Sequence, residues 1–220
     1  MRYDNQTEKI IKILSKKGKA NCCVDVGVLD GEIIDLFLKY IPHGSIHGIE
    51  PIPQKIEYLK KKFRFNTNVK LHEFAAGNKN ESGPFNLVSS NPSYSGLKKR
   101  DYPKLEKIET VKVKIRKLDD ILNNEEKIDL IKIDVEGGEY DVLLGANKIL
   151  TNFKPVLIFE FGLGAANHYG IDAKKMYSLL AKYNYKIYTL SNWIKKRNDL
   201  TQEAFDESFR TNKHYYFIAE

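Results

Sequence analysis

Three carboxylates crowd into six residues of the segment IKIDVEGGEYDVLLGA, residues 131–146: Asp134, Glu136 and Glu139, wrapped around Gly137 and Gly138. An acid that ends an apolar run is unfavourable to bury without a partner. Asp134 therefore reads as a group held for chemistry, able to orient a cationic ligand or to receive a proton. Glu136 begins the turn, where capping and active-site roles are both open. Glu139 lies past the glycines, in the first turn of a helix, where the dipole stabilises an acid by ~0.3–1 kcal/mol; its role reads as structural. Glu160, ending the run PVLIFEF, and His168, in the loop GLGAANHYG, complete the candidates for a general base. Asp134, Glu136 and Glu160 together could bind a hard cation such as Mg²⁺, but carboxylates beside a cationic ligand need no metal, and the site is read as metal-free.

A second set of residues concerns binding. The segment VDVGVLDG places Asp25, Gly27 and Gly31 in the pattern D-x-G-x-x-x-G. A dinucleotide fingerprint would need glycine where Asp25 stands and a third glycine one residue before Gly31. Gly27 would let a ligand lie against the backbone, and Asp25 can accept a hydrogen bond from an ammonium or a bound water. Glu50, in SIHGIEP, follows Asp25 by 25 residues, the place of an acid that takes ribose hydroxyls. A ribose acid without a pyrophosphate-cradling turn points to a nucleoside ligand lacking phosphates, such as S-adenosylmethionine.

These residues need a frame that brings strand ends together. Apolar spacing predicts helices over 5–17, 30–41, 52–66, 139–150 and 172–184, with Asp172 as an N-cap and Pro53 in a first turn. Strand-like runs cover 20–28, 45–51, 69–77, 127–136, 155–161, 185–190 and 213–220. Such alternation argues for one α/β domain over 1–220, with a mostly parallel sheet and ligands beyond the carboxyl ends of its strands. Residues 84–90 and 110–118 break the rhythm as two antiparallel strands flanking a long polar loop, an insertion expected at a sheet edge; within it, Tyr94 and Ser95 are expected to face the acceptor.

Bulk properties narrow the class. The 220 residues carry a formal charge of +7, with lysines filling the polar faces of helical stretches. No window is apolar enough for a membrane helix, and no secretory signal is visible. Adjacent Cys22 and Cys23 point to opposite faces of a strand and read as free buried thiols of a cytoplasmic protein. His43, His47, His72 and His214 receive no chemistry.

The segments VDVGVLDG, IEP, FAAGN and above all IKIDVEGGEYDVLLGA resemble the FkbM family of S-adenosylmethionine-dependent methyltransferases over roughly residues 20–190, with D-V-E-G-x-E at 134–139 the most specific part. The resemblance implies a class I methyltransferase (Rossmann-like) fold: a seven-stranded, mostly parallel sheet with helices on both faces and an antiparallel strand near its end. It also implies methyl transfer to a hydroxyl of a sugar, glycan or natural product, S-adenosylhomocysteine as product, and Glu50, Pro51, Phe74, Ala75 and Asp134 beside the cofactor. Where the family usually has Ala-Asn in its first motif, this chain has Val28-Leu29. An RNA methyltransferase is permitted by the charge but lacks an aromatic–basic RNA module or an N-P-P-type tetrad. A binding protein that has lost catalysis is a further alternative, and the glycine spacing argues against a nicotinamide oxidoreductase.

Overall fold

The computed structural model describes residues 5–220. In chain order its elements are α1 (Asn5–Lys16), β1 (Cys22–Val26), α2 (Glu32–Tyr40), β2 (Ser45–Ile49), α3 (Pro53–Lys62), β3 (Val69–His72), β4 (Ala75–Ala76), β5 (Glu81–Val88) and β6 (Ile108–Arg116). Then follow α4 (Leu118–Ile121), β7 (Leu130–Ile133), α5 (Glu139–Leu144), α6 (Asn147–Asn152), β8 (Val156–Glu160), α7 (Ala173–Lys182), β9 (Ile187–Thr189), α8 (Leu190–Ile194), α9 (Gln202–Thr211) and β10 (Tyr216–Ala219). Seven strands form the main sheet in the order β3-β2-β1-β7-β8-β10-β9. All its pairings are parallel except those of β10, which runs antiparallel to both β8 and β9. This is the class I methyltransferase arrangement.

The sheet is covered on both faces because its central strands are apolar on both. One face packs on α5, α6, α7 and α9 through Val142, Leu150, Met176 and Phe205. The other packs on α1, α2, α3 and α8 through Ile10, Phe37, Leu59 and Leu190. Cys22 belongs to the first core and Cys23 to the second, as strand alternation requires, and both thiols are free. Trp193 packs in the second core with the Lys17 ammonium over its ring, so its role is packing.

Several expected elements differ. The run 69–77 is two strands: β3 ends at His72, and β4 leaves the main sheet to pair with β6. The insertion accordingly builds its own three-stranded sheet, β4-β6-β5, instead of extending an edge of the main one. Its antiparallel β5–β6 pairing is as expected. The helix expected over 139–150 breaks at Gly145, where any Cβ would stand 2.0 Å from the Gly77 carbonyl oxygen; the chain must yield there for the two sheets to approach. Helix α9, capped by the Thr201 hydroxyl accepting from the Ala204 N–H, was not anticipated. Asp172 does cap α7, and Pro53 does open α3.

Candidate active site at the carboxyl ends of the strands

The carboxyl ends of β1, β2, β7 and β8 surround a cavity of about 250 Å³. Its floor is set by close backbone approach. Gly27, with φ 91°, lies where an added Cβ would come within 1.9 Å of the Asp134 carbonyl oxygen. The glycine is therefore demanded by the protein's own backbone. Gly31, with φ 81°, is not part of the wall: a Cβ there would strike the Phe63 ring and Leu59, so it serves the contact between α2 and α3.

Glu50 borders the cavity while only 3% exposed. Its Oε2 accepts from the Leu29 N–H at 2.8 Å and its Oε1 from the Ile52 N–H at 2.9 Å. These bonds lock the carboxylate and leave each oxygen a second lone pair. Burial raises its pKa, against the two amides and Lys55. Pro51, Phe74 and Ala75 line the same wall. Leu29 holds a left-handed conformation, φ 52°, the region that asparagine visits and a branched apolar residue resists.

Asp25 does not reach the cavity. It is 1% exposed, and neither of its oxygens has a hydrogen-bond partner. Burial pushes its pKa up to about 7, against the pull of Lys132, its neighbour across β1 and β7.

Lys132 is the residue the sequence reading overlooked, hidden in a run otherwise apolar. It is 5% exposed and borders the cavity. Its ammonium donates to Asp134 Oδ2, to which the Tyr216 hydroxyl also donates at 2.9 Å. Glu160, on the adjoining strand, hydrogen-bonds to the same carboxylate. Asp134 is thus partnered, contrary to its reading as an unpaired acid. Burial would raise its pKa, but Lys132 and the hydrogen bonds from Lys132, Glu160 and Tyr216 hold it below the usual range. Burial, then the Asp134 charge, drive Glu160 the other way, well above its ordinary value. The pair is thus driven apart, Asp134 toward its ionised form and Glu160 toward its protonated one. The signal was available: residues two apart on a strand share a face, and a lysine inside a buried strand needs an anion. Tyr216 carried no local signal.

Glu139 behaves as a structural acid: 1% exposed, its Oε1 accepts from the Val135 and Gly137 amides, and burial raises its pKa to about 7. Glu136, at φ 58°, borders the cavity and is ion-paired to Arg100 of the inserted loop. Oxygens of Asp134, Glu136 and Glu160 lie within 4.8 Å of one another, a spacing a cation could bridge, but Lys132 and Arg100 already supply positive charge there.

The inserted loop closes one side. Ser95 borders the cavity, yet its oxygen accepts from the Val88 N–H at 2.9 Å. Tyr94 faces a neighbouring open groove with Arg100, Tyr102 and Tyr215. Glu160 and Tyr216 border both cavity and groove. His168 lies in neither: its Nε2 pairs with Asp101 at 2.9 Å and so ties the loop down instead of bordering the cavity. The Tyr169 hydroxyl, accepting from the Lys98 N–H at 3.0 Å, is a second tie.

Residues 25–187 match the family described as the methyltransferase FkbM domain. A comparison with curated protein sequences gave no match. Among solved structures the chain is similar to methyltransferase FkbM from Methylobacillus flagellatus KT, with 17% identity and a TM-score of 0.57 over 92% of this chain. It spans 44% of that protein's length. The O-methyltransferase from Bacillus cereus, solved in complex with SAH, gives 11% identity and a TM-score of 0.53 over 99% of this chain and 80% of that one. TomG from Streptomyces achromogenes, an O-methyltransferase involved in tomaymycin synthesis and solved with SAM, gives the same values. At such identities the likeness is one of fold.

Proposed function

The chain belongs to the FkbM methyltransferase family, and from that premise we propose that it moves a methyl group from S-adenosylmethionine to a hydroxyl oxygen of a sugar, glycan or other small molecule. Residues 1–220 are taken as one methyltransferase domain. The observation that carries the reading is the pair of acids across one cavity: Glu50 locked by two amides on one side, Asp134 with Lys132 on the other.

The cavity fits the cofactor by this donor set. The free lone pairs of Glu50 suit the two ribose hydroxyls, Phe74 and Ile52 offer apolar surface to a base, and Glu160 borders the same space. When bound, S-adenosylmethionine supplies an electrophilic methyl on a sulfonium. The chain then has three tasks. It positions the acceptor hydroxyl in line with the methyl; the groove beside Tyr94 and Arg100 leads to the shared border at Glu160 and Tyr216 and is the proposed approach. It keeps water out by the loop fastened through His168 and Tyr169. It receives the acceptor's proton, for which Asp134, held toward its ionised form, is better suited than Glu160, whose pKa is raised.

Incubation with S-adenosylmethionine and a panel of sugars and hydroxylated small molecules, read as S-adenosylhomocysteine formed, tests the reading. An acceptor-dependent rise that falls by two or more orders of magnitude in Asp134→Asn supports it. Equal formation with amine-only acceptors, or full activity in Asp134→Asn, overturns the oxygen-transfer assignment.

A further inference from the structure

Away from the cavity, Cys22 at the start of β1, His47 on β2 and Glu125 in the segment after α4 converge from three separate stretches of chain. His47 Nε2 stands 3.0 Å from Glu125 Oε1, and Cys22 Sγ stands 3.8 Å from Glu125 Oε2. One donor atom of each residue lies within 4.8 Å of the others. A tetrahedral zinc with bonds of about 2.0–2.3 Å holds its ligand atoms roughly 3.3–3.7 Å apart. The three groups therefore need only small side-chain adjustments to meet one ion.

We propose that Cys22, His47 and Glu125 form a binding site for a borderline-soft divalent ion of the zinc type. The donor set decides the class: one sulfur, one imidazole nitrogen and one carboxylate oxygen suit zinc and are poor ligands for magnesium or calcium. His47 has the outer partner that such a ligand needs, since its Nδ1 lies 3.1 Å from His72 Nε2. With a proton on Nδ1 donated to His72, Nε2 presents its lone pair toward Cys22 and Glu125. The Ser45 hydroxyl, 3.2 Å from the same nitrogen, or a water fills the fourth position. Cys22 is 7% exposed and His47 3%, whereas the Glu125 side chain is 17% exposed and opens the site to solvent.

Binding would release the Cys22 thiol proton to solvent and leave a thiolate on the metal. Without a cation the thiol is pushed up to about 12, first by burial and then by the Glu125 and Asp129 carboxylates. Those same carboxylates favour a cation. Lys70, whose ammonium lies 2.8 Å from Glu125 Oε1, is the competing positive charge; its side chain is 54% exposed and free to turn outward. Being at the opposite end of β1 from the cavity, the ion would join β1, β2 and the segment before β7, a structural task independent of the proposed methyl transfer.

The test is titration of chelator-treated, full-length protein with Zn²⁺ against a chromophoric chelator, and with Co²⁺ as a spectroscopic probe. One equivalent should bind at low-micromolar free metal, with tetrahedral cobalt bands and a thiolate-to-cobalt charge-transfer band. Cys22→Ser should lose that band, Glu125→Gln should weaken zinc at least tenfold, and Cys23→Ala, altering the thiol on the other face, should retain both signals. Circular dichroism selects folded variants, and the wild-type titration stands without them. No stoichiometric uptake by the wild type, or a charge-transfer band that survives in Cys22→Ser, overturns the proposal.

Discussion

At the scale of single residues the site is a set of opposed electrostatic demands. Lys132, Asp134, Glu160 and Tyr216 share one patch on the sheet, and removing Lys132 would leave two buried carboxyls without their cation. Lys132→Met should therefore raise the Asp134 pKa and move the acidic limb of the kcat/KM profile to higher pH; an unmoved limb would detach Lys132 from the proton transfer. Leu29 offers a test of backbone strain. Its left-handed φ of 52° costs a non-glycine residue about 1 kcal/mol or more, and Leu29→Asn should recover roughly that much in urea unfolding. Asp134 and Glu50 were legible because each ends an apolar run. Lys132 was not, because a period-2 reading of a buried strand treats one charged position as an interruption. Asp25 was misplaced for a related reason: strand order gave its height in the sheet but not which side of the wall its carboxylate occupies.

At the scale of elements, glycines decide how closely strands and turns can approach. Gly27 and Gly18 both hold positive φ, yet a Cβ at Gly18 meets nothing while one at Gly27 would collide with the end of β7. Gly18→Ala should cost about 1 kcal/mol, the backbone penalty alone, and Gly27→Ala clearly more, about 2 kcal/mol or above. Comparable losses in chemical denaturation would show that the approach of β1 to β7 is not what fixes Gly27. The alternation of strands and helices was readable from periodicity. The separation of β4 from β3 was not, since Phe74-Ala75-Ala76 continues the apolar pattern and only pairing with β6 reveals the change of sheet. Helix α9 escaped notice because its apolar face reduces to Phe205 and Phe209 amid charged residues, and it forms by packing on Phe161 and Phe217.

For the whole molecule, buried acids set the pH response. Asp25 has its folded pKa raised to about 7, so the folded chain binds its proton more tightly than the unfolded chain does. This contribution to stability is complete below the unfolded value near 4 and is lost as pH rises through about 7. Unfolding free energy should accordingly fall for this group between about pH 4 and pH 7, and Asp25→Asn should flatten that fall; an unchanged slope would place the titration elsewhere. Asp134 acts in the opposite sense, its lowered pKa giving stability that disappears as pH drops through the folded value. The +7 charge spreads over lysine-rich helix faces, and no helix among the described residues is long and apolar enough to cross a membrane. The central claim is that the strand-end cavity holds an adenosyl ligand by its ribose on Glu50. Calorimetric titration of S-adenosylhomocysteine into wild type and Glu50→Ala tests it most directly. The account predicts one molecule bound by the wild type and a loss of tenfold or more in the variant, as expected for removing hydrogen bonds to a charged acceptor worth about 1.5–3 kcal/mol each; equal affinity in the two proteins would contradict it.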